Sequence, residues 1–453
     1  MKSAHAAPRI RWILESGEVG TQYTVRGWVR TRRGSKSVHF VAMNDGSTPA
    51  AIQVVVSADL PGIEAMLPQI STGASLEIDG LLVESPGSGQ RVELQAEAVR
   101  VLGPADPETY PLQKKGHSFE FLRSIAHLRA RSNSFGAVFR IRSTLAQATH
   151  QFFAGRGFNY IQTPIITASD CEGAGAMFEV RTKDPEPFFG RHAMLTVSGQ
   201  LNAEALAYGL GLVYTFGPTF RAENSNTSRH LSEFWMIEPE MAFHDIHDDM
   251  DLAEAYLKAL LDAVFEKNAD DLELLQKFVE PTLIETLRNT RDNVFERITY
   301  TDAIAILERS GRKFEFPVSW GADMQSEHER FLTETHFKKP VMVTGYPKGI
   351  KAFYMFQNDD DRTVAALDVL VPRIGEIIGG SQREHRLDRL VGRLEADGMN
   401  LEDYEWYLDL HRYGAVPHAG FGLGFERAVM FCTGMANIRD VIPFPRAPGQ
   451  AAF

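Results

Sequence analysis

Cysteine is almost absent from this chain, with Cys171 and Cys432 the two occurrences in 453 residues. Two thiols build neither a disulfide framework nor a cysteine-rich zinc site, so a reducing, cytoplasmic setting is expected. Long apolar runs are missing as well. No stretch reaches the roughly 18 apolar residues of a membrane span, and no membrane partner is expected. The opening MKSAHAAPRIRW has no apolar segment of the signal-peptide kind. Positive charge is also short: the formal net charge is −12, which argues against a non-specific nucleic-acid binder. The deficit is uneven. Residues 1–40 carry eight Lys and Arg against two Glu, a local charge of +6, which suits a polyanion held at defined places.

What is present is globular: 44% apolar and 23% charged residues, in a length that calls for two domains. Residues 20–104 show repeated β patterning. YTVRGWVRTRR alternates and sets its arginines on one face; VHFVAMND, AAIQVVVS, SLEIDGLLVE and VELQAEAVRVLG follow, separated by Gly, Pro, Ser and Asp. Short strands at this spacing predict a small barrel or sandwich. Basic and aromatic residues on the first strands point to an OB-fold, whose face stacks single-stranded bases. A β-domain with a solvated basic edge fits the same pattern. GPADPETYPLQKK, with three prolines, reads as a linker.

In the second part, Val138, Ile141, Leu145, Ala148 and Phe152 recur at gaps of three and four, which predicts an amphipathic helix ended by Gly155 and Gly157. FNYIQTP then reads as a strand closing on a proline. Residues 215–243, TFGPTFRAENSNTSRHLSEFWMIEPEMAF, have two apolar β-prone arms around a turn-rich middle. They predict two antiparallel strands and a long loop. Arg221 ends the first arm, Arg229 and His230 lie in the loop, and Phe234 opens the second arm. Such a hairpin mouth holds a phosphate and stacks a base, or is simply a solvated hairpin. GFGLGFER, residues 420–427, is a Gly-rich strand entering an apolar helix. An arginine in a helix's first turn is badly placed for the macrodipole unless an anion sits there. LDVLV and IGEII are strand segments interrupted by Asp368 and Glu376, acids that are costly in a sheet unless paired or metal-bound. Lys351, in the turn YPKGIKAFYM, reads as a solvated lysine, with a phosphate contact as the alternative.

Arg221 with Glu223, and Gly422–x–Gly424–x–Glu426–Arg427, resemble motifs 2 and 3 of the class II aminoacyl-tRNA synthetases. NSNTSRHLSEFWMIEPEMAF is similar to the asparaginyl-tRNA synthetases, and the resemblance runs over nearly the whole chain. It implies an α+β protein in three parts. These are an OB-fold anticodon-binding domain over residues 1–104, a linker over 105–116, and a class II catalytic domain over 117–453, with a mainly antiparallel sheet flanked by helices. Helix, strand and proline over residues 135–164 take the form of motif 1 and imply a homodimer.

The implied activity is ATP-dependent ligation of L-asparagine to tRNA(Asn) through an asparaginyl-adenylate. By the resemblance, Arg221 and Arg427 are catalytic. ATP is bound by Arg221, Glu223, Arg229, His230, Phe234, Glu376 and Arg427. Asparagine is bound by Glu172, Gln200, Arg221, Glu223 and Arg383, and Mg²⁺ is held with ATP by Asp368 and Glu376. Arg32, Phe40 and Gln53 read the anticodon. Ala176 departs from the acid common in the family. Aspartyl enzymes carry a lysine where this chain has Ala203, and its loss removes a charge-assisted partner for aspartate. The rivals are an aspartyl-tRNA synthetase, including one that charges more than one tRNA; an ammonia-dependent asparagine synthetase, which lacks the OB domain; and an idle single-strand binder.

Overall fold

Period-two burial builds the first part of the chain. A computed structural model describes residues 7–87, 89–113, 116–171, 176–184, 186–225 and 227–453, and the chain divides into compact units over residues 1–137 and 138–453. In the first unit, strands β1 (Gln22–Gly34), β2 (Val38–Asn44), β3 (Ile52–Ser57), β4 (Ser75–Glu84) and β5 (Val92–Gly103) close a barrel in the order β1-β2-β3-β5-β4. Alternate residues point inward. Val25, Val41, Ile52, Val54, Ile78 and Leu94 fill the core, and Ile10 and Ile13 of the helix Ile10–Ser16 join it. A bulge between Val29 and Thr31 shifts the phase of β1. The expected single arginine face therefore breaks midway along the strand.

The second unit is built on a sheet of eight strands. Its strands, with a separate pair formed by β7 (Ile166–Thr167) and β8 (Met194–Leu195), are β6 (Asn159–Tyr160), β9 (Leu212–Phe220), β10 (Glu233–Ala242), β11 (Glu296–Thr299), β12 (Val341–Pro347), β13 (Thr363–Val371), β14 (Gly375–Gln382) and β15 (His418–Gly424). The order is β11-β12-β13-β14-β15-β10-β9-β6. Pairing is antiparallel from β12 to β9 and parallel at the two edges. The strand expected at FNYIQTP is only Asn159–Tyr160. One further bond, Ile161 N–H to Tyr214 carbonyl at 2.9 Å, follows before the chain leaves the sheet, and Pro164 has no N–H to continue a ladder.

The helix Asn133–Ala154 buries Val138, Ile141, Leu145, Ala148 and Phe152, the stripe read from the sequence. The helix Ile246–Lys267 starts at a capping box on Asp245, buries Met250, Ala253, Leu257, Leu260 and Val264, and packs on β13, β14 and β15. Small residues let it approach. A Cβ at Gly380 would lie 2.7 Å from Phe421 Cβ and 2.8 Å from Asp249 Oδ2. No helix among the described residues is long and apolar enough to cross a membrane.

Candidate active site

The β9–β10 hairpin holds Phe220 opposite Glu233, and its mouth is closed by the Arg221 N–H donating to the Ser232 carbonyl at 3.1 Å. This fixes Arg221 beside Phe234, with the guanidinium carbon 5.4 Å from the ring centroid. Across the loop Glu223 and His230 stand 4.0 Å apart. The strand β15 delivers the helix Phe425–Thr433, and Arg427 in its first turn donates through Nη1 to the Glu376 carbonyl (3.1 Å) and carboxylate (3.2 Å). Glu426, the acid beside it, is buried. It accepts from Arg142 Nη2 at 2.7 Å and from the Trp235 N–H at 2.9 Å, tying this helix to the hairpin. All seven residues expected to bind ATP, namely Arg221, Glu223, Arg229, His230, Phe234, Glu376 and Arg427, line one cleft.

A second cleft adjoins it, sharing Arg221, Met236, Glu376 and Gly422. It is lined by Gln200, Arg383 and Asp368 of the expected set and by Glu238, Glu240 and Lys351 besides. Glu223 stands on the first cleft and is not among the side chains lining the second. Glu172 lies outside the described residues. The Ala176 carbonyl accepts from the Ala222 N–H at 2.6 Å, which sets Ala176 itself on the hairpin mouth. Ala203 is buried with Ile161, Ala207 and Val213 in an apolar cluster and does not form the cleft wall. Side-chain discrimination therefore falls to the charged groups of the two adjoining clefts.

Lys351 is not the solvated lysine expected. Its Nζ bonds both Asp368 oxygens, at 3.0 and 3.1 Å, and lies 4.0 Å from the Tyr346 ring centroid. The sequence signal was in the strands: an acid in the middle of β13 needs a nearby cation. Burial pushes the Asp368 carboxyl up against the pull of Lys351. Burial also works to raise Glu376, but Arg427 and Lys351 outweigh it and the net shift is downward. Asp368 and Gly379 are cross-strand neighbours, and both carboxylates converge over that glycine. A Cβ there would lie 2.8 Å from Glu376 Oε1 and 3.9 Å from Asp368 Oδ1. No group of three or more such ligands occurs among the described residues. Two hard carboxylate donors fit a magnesium ion that takes its remaining ligands from phosphate and water.

Beneath the second cleft lies a buried ionic network the sequence reading missed. Arg383 donates to Glu240 through Nη2 (2.5 Å) and Nε (3.2 Å), and to Ser381 Oγ through Nη1 (2.8 Å). Glu204 accepts from Gln200 Nε2 at 2.9 Å and Tyr407 O–H at 2.6 Å, and lies 3.0 Å from His418 Nε2. Burial alone would raise the Glu204 carboxyl; the His418, Arg383 and Tyr407 contacts win and hold it at about 2. The signal was Glu204 one helical turn beyond Gln200, on the same face.

In the barrel, Phe40 and Gln53 meet Arg33 and not Arg32. The Arg33 guanidinium carbon is 5.7 Å from the Phe40 ring centroid, and its Nη2 donates to Gln53 Oε1 at 3.3 Å. Arg32 donates to the Leu67 carbonyl. The bulge in β1 accounts for the change of phase.

Residues 119–448 match the family model described as tRNA synthetases class II (D, K and N). The chain belongs to that family. Residues 23–102 match an OB-fold nucleic acid binding domain. The chain is 60% identical to the asparagine–tRNA ligase of Nostoc sp., over 98% of this chain and 99% of that protein. It is equally 60% identical to that of Solibacter usitatus, over 96% of each. The crystal structure of asparaginyl-tRNA synthetase from Pyrococcus horikoshii complexed with asparaginyl-adenylate superposes with a TM-score of 0.89 at 33% identity, covering 98% of this chain and 99% of that one. The expected fold class, an OB barrel followed by a class II synthetase domain, is the one found.

Proposed function

We propose that the chain is an asparagine–tRNA ligase: it activates L-asparagine with ATP and transfers it to tRNA(Asn). The observation that carries this reading is the junction of the two clefts at Arg221 and Glu376. One cleft has an aromatic ring beside a guanidinium for a purine and phosphates. The other has a buried Arg–Glu pair for a small polar side chain. The asparagine relatives at 60% identity favour the amide over the acid.

In the first step the α-carboxylate of asparagine attacks the α-phosphorus of ATP, and pyrophosphate leaves. The nucleophile is already an anion, so positioning and charge stabilisation supply the catalysis. Arg221 holds the α-phosphate and the carboxylate together. Phe234 stacks the adenine, with Arg427 over its other face and on the γ-phosphate. Arg229 and His230 take the outer phosphates. Asp368 and Glu376 would hold Mg²⁺, which supplies positive charge against the phosphates. Glu172 and Gln200 receive the amino end of the substrate. Arg383 donates to the carboxamide oxygen, and Glu223 accepts from its nitrogen and repels aspartate. In the second step a hydroxyl of the terminal tRNA ribose attacks the adenylate carbonyl and AMP leaves. Arg32, Phe40 and Gln53 contact the anticodon, with Arg33 beside them.

Two copies pair through the motif 1 region, a reading supported by the exposed Tyr160, Ile165 and Ile166. Two free cysteines suit a cytoplasmic enzyme. The test is charging of a transcript bearing the asparagine anticodon with labelled asparagine or aspartate. Label transferred from asparagine alone supports the reading; transfer from aspartate alone overturns it.

A further inference from the structure

A short helix, Ser326–Arg330, followed by the π-helical turn Phe331–His336, lines the end of the cleft where Arg229, His230 and Arg427 meet, and no step above uses it. Arg229 leaves the hairpin loop and docks there. Its Nη1 donates to Ser326 Oγ at 2.7 Å, and its Nη2 reaches the Arg373 carbonyl at 3.4 Å. Arg229, His230, Ser326, Glu329, Glu376 and Arg427 surround one polar recess continuous with the cleft through Arg229, His230, Glu376 and Arg427.

The helix is itself locked to the sheet. Glu329 Oε2 accepts from the Glu376 N–H at 3.2 Å, and Glu334 Oε1 accepts from the Arg373 N–H at 2.7 Å. The turn fits Glu329 closely. Gly375 has φ 81°, and a Cβ there would lie 2.1 Å from Glu329 Oε2. Ser326 is thus a hydroxyl on a fixed support, facing a long, flexible cation.

We infer that Ser326 is a positioning residue that holds Arg229 at the pyrophosphate end of the nucleotide. The inference rests on the reading of Arg229 as a phosphate ligand. A guanidinium has five N–H donors, and one goes to the Ser326 hydroxyl and another to the Arg373 carbonyl, so donors remain for phosphate oxygens. Holding the side chain before the nucleotide arrives removes much of the ordering cost from binding. Ser326 donates nothing to the reacting atoms and acts only through Arg229.

The test is a double-variant cycle on the full chain, with ATP and Mg²⁺ titrated calorimetrically and ATP–pyrophosphate exchange measured in parallel. Ser326→Ala should raise the Kd and the KM for ATP about tenfold, the size expected for a lost hydrogen bond to a charged group. The KM for asparagine and the Tm should stay at the parent values, and Ser326→Thr should restore ATP affinity. In an Arg229→Ala background, Ser326→Ala should add no further loss. Parent-like ATP affinity in Ser326→Ala overturns the inference. So does an equal loss in both backgrounds. If the parent binds ATP but exchanges no pyrophosphate with asparagine, the functional reading fails while the calorimetric cycle still decides the role of Ser326.

Discussion

The guanidinium of Arg383 is forked onto the carboxylate of Glu240, at 2.5 Å from Nη2 and 3.2 Å from Nε, on the wall of the cleft proposed for asparagine. Burial works to raise the Glu240 carboxyl and Arg383 pulls the other way, so a change that breaks the fork leaves a buried acid short of its partner. A lysine carries the charge but not the fork. Arg383→Lys should raise the KM for asparagine about tenfold or more and leave the Kd for ATP within about twofold of the parent. Steady-state exchange kinetics beside ATP titration read the two. An equal loss of both would make Arg383 a scaffold residue.

Glu426 joins two elements by accepting from Arg142 Nη2 and the Trp235 N–H. Its replacement by alanine strands a largely buried arginine and a backbone donor. Glu426→Ala should lower the unfolding free energy by about 3 kcal/mol, read from the urea midpoint. Glu426→Gln, which keeps an acceptor for the backbone N–H, should lose less.

Asp249 is buried beneath Gly380, and neither of its oxygens has a hydrogen-bond partner among the described residues. Burial raises its carboxyl from 3.8 to about 8. Between those values the folded chain keeps a proton that the unfolded chain has released. Stability carried by the neutral acid is therefore full below pH 3.8 and lost as pH rises toward 8. Asp249→Asn removes this dependence. Its Tm relative to the parent should rise with pH across that window and level off above it. A difference independent of pH would contradict the assignment.

Phe40 lies beside Arg33 on the barrel face. Phe40→Ala should slow tRNA charging, through a raised KM for tRNA, by about tenfold or more, in line with one lost base stack. Adenylate formation should be unchanged. Unchanged charging would remove Phe40 from the anticodon contact.

Much of this architecture was legible because it repeats. The gaps of three and four in residues 138–152 and the alternation in β1 to β5 encode their own periods. The hairpin declared itself by two apolar arms around Arg221 and His230, and the cleft residues it supplies lie together. What escaped were partners distant in sequence. Lys351 looked solvated because its acid, Asp368, sits on the next strand. Arg33 was not among the residues the resemblance named, and a single bulge in β1 changes the phase that sets it beside Phe40 and Gln53. Ser326 stands 97 residues from the arginine it holds, and no local pattern marks such a contact.

The central claim is that these clefts form asparaginyl-adenylate. The most direct measurement is ATP–pyrophosphate exchange with purified protein, Mg²⁺ and either L-asparagine or L-aspartate, first without and then with tRNA. Exchange with asparagine alone is the expected result. Exchange supported by aspartate and not by asparagine would contradict it and make the chain an aspartyl enzyme.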